Sequence, residues 1–111
     1  MKNEVYHFAE PIKRAVIAAA LSGDNTLVAA VTGKRIRVIF MDMLASAAVN
    51  ARFESAAGGT ALTGLHYLAA NGGWVWQYNP VGWIETLAGE LLNLELSGAI
   101  AVGGVIGYVE V

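Results

Sequence analysis

Along most of this chain, hydrophobic and polar residues alternate with a period of two. This is the repeat of an extended strand, whose successive side chains point to opposite faces. Residues 13–20 (KRAVIAAA) predict a first strand, closed by the turn cluster Ser22-Gly23-Asp24-Asn25, and residues 26–31 (TLVAAV) a second. In 34–44 (KRIRVIFMDML), Arg35, Arg37 and Ile39 are expected on one face and Ile36, Val38 and Phe40 on the other. Over 48–54, Val49, Ala51 and Phe53 are expected to point inward and Asn50, Arg52 and Glu54 outward. After an Ala56–Gly59 loop, residues 60–69 predict a further strand, bent or bulged at Gly64.

Asn71-Gly72-Gly73 is a hairpin turn signal. It leads into Trp74, Trp76 and Tyr78, three aromatics expected on one face of the next strand. Asn79-Pro80-Val81-Gly82 turns again before a short strand at 83–86, and Ala88-Gly89-Glu90 turns before 91–96. There Leu92, Leu94 and Leu96 are expected inside, and Asn93 and Glu95 outside. Residues 100–111 complete the set. Helical periodicity is nearly absent: Ala15–Leu21 is short and bracketed by Pro11 and the turn cluster at 22–25. About eight short strands, with turns roughly every 8–12 residues, predict an all-β sandwich or barrel. Residues 11–111 form one domain in this reading, and the more polar, aperiodic residues 1–10 an N-terminal arm.

Composition adds a constraint. Of the 111 residues, 56% are hydrophobic and 14% charged, against roughly 25% charged in an average soluble domain. A lone small fold cannot hide that much apolar area. A spanning helix is not its destination, because the uncharged stretch Ser55–Ile84 is broken by Gly58, Gly59, Asn71, Gly72, Gly73, Asn79, Pro80 and Gly82. Alternating strands too few to close a membrane barrel leave subunit contacts as the expected cover. The charge is lopsided. All seven cations lie in the first 52 residues against four acids (Glu4, Glu10, Asp24, Asp42), a balance of +3, while the remainder carries five acids and no Lys or Arg. Interleaved strands would erase this asymmetry; faces that meet between subunits would use it.

Candidate chemistry is sparse. There is no cysteine, hence no disulfide or thiolate nucleophile, and the opening residues hold no apolar secretory segment. His7 and His66 are too few for a zinc site, and no cofactor is expected. Asp24 with Asp42, or Glu85, Glu90 and Glu95, could pair across strands as general acid and base, but no nucleophile elbow or phosphate loop is present, so no enzyme is expected. The run Lys34-Arg35-Ile36-Arg37 reads as a solvated strand or a contact to an acidic partner; without basic residues interleaved among the aromatics, nucleic acid is not expected. Trp74, Trp76, Tyr78 and Trp83 read either as core and interface side chains or as a platform on which sugar rings stack.

The succession Ser22-Gly23-Asp24-Asn25-Thr26-Leu27-Val28, then Gly33-Lys34-Arg35-Ile36-Arg37-Val38, Leu62-Thr63-Gly64 and Leu68-Ala69-Ala70-Asn71-Gly72-Gly73 resembles small virion proteins of tailed bacteriophages. Asn79-Pro80-Val81-Gly82-Trp83, Thr86, Gly89-Glu90, Leu92 and Leu94, and the terminal Gly107-Tyr108-Val109-Glu110-Val111 extend the resemblance over residues 12–111. It implies a jelly-roll-like β-sandwich of about eight antiparallel strands, a homotrimer made in the host cytoplasm that decorates and stabilises the outer surface of the phage head. The major capsid protein would be its partner. Residues Lys2, Asn3, Glu4, Tyr6, His7 and Phe8 of the arm would contact the capsid, three joined arms gaining by multivalency. A carbohydrate-binding module of a head or tail fibre is the alternative.

Overall fold

The computed structural model describes residues 11–111, and all regular structure among them is β. The strands are β1 (Lys13–Ala19), β2 (Gly23–Val28), β3 (Ile36–Ala45), β4 (Val49–Ser55), β5 (Thr60–Ala61), β6 (His66–Leu68), β7 (Gly73–Trp76), β8 (Ile84–Glu85), β9 (Leu92–Leu96) and β10 (Val102–Glu110). They pair antiparallel in two five-stranded sheets. The first runs β1-β10-β3-β7, with β8 also on β3; the second runs β2-β9-β4-β5, with β6 also on β4. The expected antiparallel sandwich is the architecture. Among the described residues no helix is long and apolar enough to cross a membrane.

Side-chain alternation turns one face of each sheet inward. Ile17, Ala19, Ile36, Val38, Met41, Met43, Ile106 and Trp74 from the first sheet meet Val49, Ala51, Phe53, Leu92, Leu94 and Leu96 from the second. The inward positions expected for 48–54 and 91–96 are all core. Local details differ from the sequence expectation. The strand expected over 60–69 is two short pieces around an interruption at 62–65, and β2 starts at Gly23 inside the expected turn. Asn25 explains the latter. Its Oδ1 accepts from the N–H of Ala20 and Leu21 (3.3 and 3.1 Å), while its Nδ2 donates to the carbonyls of Leu21, Gly23 and Leu94 (2.9, 3.2 and 3.2 Å). One side chain closes the β1–β2 turn and frees residues 23–25 to pair with β9.

The expected phase of β3 also fails halfway. Ile36 and Val38 share one face as predicted, and it is the core face, but Met41, Met43 and Ala45 continue it in place of Phe40. Opposite this switch, Tyr108 pairs Val38 while Gly107 pairs Phe40, leaving Ile39 as the extra residue of a bulge. A bulge inverts which alternate positions face inward. Phe40 then lies on the outer side, where its ring occupies the space a Cβ on Gly107 would need.

Folding also disposes of the charge asymmetry. Lys13 pairs with Glu110, Arg35 and Arg37 with Glu85, and Arg52 with Glu54 and Glu95, so cations of the first half meet acids of the second within one chain.

Candidate functional site

The predicted aromatic stripe is only partly a stripe. Trp74 and Trp76 alternate with the exposed Val75 on β7 and share its inward face, opposite Met43 and Met41. Tyr78 lies past the end of the strand and is exposed, so it does not extend that face. Trp74, 7% exposed, meets Phe53 edge-on at 5.2 Å and stacks on His66 at 3.4 Å. Trp76 packs on Phe53 (5.3 Å) and against Trp83, whose ring is parallel to it within 5° at 5.6 Å. Trp74 and Trp76 therefore plug one side of the sandwich, and Trp74 offers no open ring face to a ligand. His66, stacked there with its Nδ1 3.1 Å from the Gly64 carbonyl, is part of the same plug.

Trp83 is different. The segment after β7 runs back along β3, its Asn79, Trp83 and Thr86 N–H groups donating to the carbonyls of Ile39, Val38 and Ile36. Thr86 Oγ1 in turn accepts from the Ile36 N–H, which fixes the buried end of this segment. Trp83 Nε1 donates to the Gln77 carbonyl at 2.7 Å, leaving the indole 46% exposed. Beside it an open groove of about 280 Å³ is lined by Arg37, Val81, Gly82, Trp83, Ile84 and Glu85, with Arg37 Nε donating to Glu85 Oε1 at 2.7 Å.

The two outer faces of the sandwich contrast sharply in chemistry. On the first sheet, cross-strand rows read Val16–Val105–Asp42–Val75 and Ala18–Gly103–Leu44–Gly73. Val16, Leu44 and Val75 are 76%, 50% and 66% exposed. A third row, Arg14–Gly107–Phe40, ends this face. Next to Leu44 and Gly103 the surface dips into an open groove of about 720 Å³ whose lining includes Ala18, Ala20 and Ala101. Asp42 is the one acid within these rows.

On the second sheet the corresponding rows read Asp24–Glu95–Arg52 and Thr26–Asn93–Glu54. Glu54 and Asn93 were expected to be solvated outward residues. They do point away from the core, yet both are fully buried. Arg52 Nε donates to Glu54 Oε2 (2.8 Å), Arg52 Nη2 lies 3.3 Å from Glu95 Oε1, and Asn93 Nδ2 donates to both Asp24 Oδ1 (2.9 Å) and Glu54 Oε1 (3.0 Å). One carboxylate oxygen of Glu54 and one of Glu95 lie within 4.8 Å of each other. Burial disfavours the ionised form of Glu54, but hydrogen bonds from Glu95, Arg52 and Asn93, with the charge of Arg52, outweigh it and lower its pKa. Glu95 moves upward, first through its hydrogen bond to Glu54 and then through burial and the Glu54 charge, against the pull of Arg52. The two neighbouring carboxyls are thus shifted in opposite directions.

The sequence reading had weighed Asp24 with Asp42, or the later glutamates with one another. The fold instead joins Asp24 to Glu54 and Glu95 and leaves Asp42 on the opposite sheet. Glu54 was missed because alternation alone assigned it to solvent. The arm residues Lys2, Asn3, Glu4, Tyr6, His7 and Phe8 lie outside the described residues. No known protein family, curated protein or solved structure matches the chain.

Proposed function

We propose that this chain is a structural subunit that associates with its own copies through the outer face of the first sheet, as a homotrimer that decorates and stabilises the head of a tailed phage. The observation that carries the self-association is the contrast between the two outer faces. Val16, Val75, Leu44 and Ala18 stand exposed in adjacent rows with a single carboxylate among them, whereas the second sheet turns a charged ladder outward. Exposed apolar patches on soluble folds mark contact surfaces, and an interface of this kind would absorb the excess of hydrophobic residues. The strand order supports a jelly-roll reading: β1 to β2, β3 to β4 and β9 to β10 each pass from one sheet to the other, and capsid and lectin domains use that architecture. The virion setting and the major capsid protein as partner rest on the resemblance carried by residues 12–111.

The mass in solution tests the first part. A trimer is expected, and a clean monomer at micromolar concentration rejects it. Val16→Lys with Val75→Lys should give folded monomers, because both side chains point away from the core. Sedimentation with purified heads tests the second part: protein left in the supernatant at saturating heads rejects decoration.

A carbohydrate-binding role is the second reading, and Trp83 favours it. A half-exposed indole beside the Arg37–Glu85 pair combines an aromatic face with planar hydrogen-bonding groups. A glycan array on the wild type and on Trp83→Ala decides this; binding that ignores the substitution removes Trp83 from the role.

A further inference from the structure

The three outer rows of the first sheet hold only two charged side chains. Asp42 stands in the row Val16–Val105–Asp42–Val75, and Arg14 in the row Arg14–Gly107–Phe40. Both are exposed. Among the described residues, Asp42 is the one acid, and Arg14 the one arginine, whose side chain makes neither a hydrogen bond nor an ion pair. The other acids are all engaged. Asp24, Glu54 and Glu95 share Arg52 and Asn93, Glu85 holds Arg35 and Arg37, Glu90 accepts from Ser55, and Glu110 holds Lys13.

Within one chain Arg14 and Asp42 are not partners. Two strands and two residues separate them, about 12 Å between Cα atoms at ordinary strand spacing and rise. The Phe40 ring, resting on Gly107, fills part of that gap. In water each charge is solvated at little cost. Under a covering copy neither could stay unpaired, because a charge taken from water without a partner loses more than apolar contact returns. The face therefore fits a surface that brings a cation to Asp42 and a carboxylate to Arg14. A second copy of the same face brings both.

We propose that Arg14 of one copy pairs with Asp42 of the next where copies meet on this face, and that this pair fixes their register. The inference rests on the self-association reading and deepens it by naming the residues that orient the copies. Rows of Val, Ala and Gly can slide past one another with little change in buried area, so they supply cohesion without direction. A guanidinium fork on a carboxylate supplies the direction. Each copy holds one of each group, so a closed ring of any size uses every Arg14 and every Asp42 once.

Sedimentation of the full chain tests this. Arg14→Glu and Asp42→Arg should each weaken assembly by about tenfold or more. Their thermal midpoints should stay close to wild type, since both side chains lie outside the core. Placed together in one chain, the two reversals should restore assembly to within about threefold of wild type, the pair being remade with its charges exchanged. Mixing the two single variants then counts the ring. Matched contacts join only unlike variants, so a ring of three always keeps one repulsive contact and stays weakened. Full recovery on mixing supports the pair but replaces the trimer with an even-numbered ring. Single reversals that leave assembly unchanged, or a double reversal no better than the singles, overturn the pair while leaving self-association standing. A wild type that stays monomeric rejects self-association itself, and this contact with it.

Discussion

Gly107 shows how much one missing side chain decides. A Cβ there would lie 1.9 Å from Phe40 Cε2, because the Phe40 ring rests on the bare backbone of the neighbouring strand. Gly107→Ala should therefore destabilise by about 1–3 kcal/mol, the usual range for overpacking, measured by urea unfolding. In a Phe40→Ala background the penalty should shrink; an equal penalty in both backgrounds would mean the ring is not the obstacle. Asn25 is the polar counterpart. Its amide makes five hydrogen bonds around the β1–β2 turn, and Asn25→Ala would strand several of those backbone groups. A loss of about 1–3 kcal/mol is expected, with Asn25→Asp recovering only the accepting side. The turn at 22–25 was legible as turn chemistry. That Asn25 would serve as its buried staple was not, because its last partner, Leu94, is remote in sequence.

Among elements, the ladder across β2, β9 and β4 carries the pH dependence. Glu54 has a lowered pKa, so its stabilising contribution is present above the ordinary glutamate value and is lost as pH falls through its folded value. Glu95 has a raised pKa, so its contribution is present below the ordinary value and is lost as pH rises through its folded value. Stability owed to this ladder should peak near the ordinary glutamate pKa, about 4.3, and decline on both sides. Glu95→Gln should abolish the decline on the alkaline flank, read from denaturation midpoints across a pH series. A flank of unchanged slope in that variant would assign the titration elsewhere. Period-two alternation had correctly turned Glu54 and Asn93 away from the core. It could not register their burial, which follows from lying beside Arg52, Asp24 and Glu95 on strands whose order is set by tertiary pairing. The Ile39 bulge left only a faint signal in β3, the change of parity between Arg37 and Asp42, because residues 38–41 between them are all apolar.

For the whole molecule, the two outer faces should respond asymmetrically to added charge. Lysine at Val16 or Val75 should shift sedimentation toward the monomer. Lysine at Tyr67, exposed on the second sheet, should leave assembly unchanged; loss of assembly from that side would move the interface there. The sequence by itself determined the strand content, the inward residues of β4 and β9, the turns and the surplus of apolar side chains. These follow from local alternation and turn chemistry, which operate within a few neighbouring residues. Tertiary structure alone decided that early cations meet late acids, that Trp74 is plug and Trp83 surface, and that Asp24, Glu54 and Glu95 converge. Each of these depends on which strands lie side by side. Strand order arises from long-range packing, and no short window of the chain encodes it.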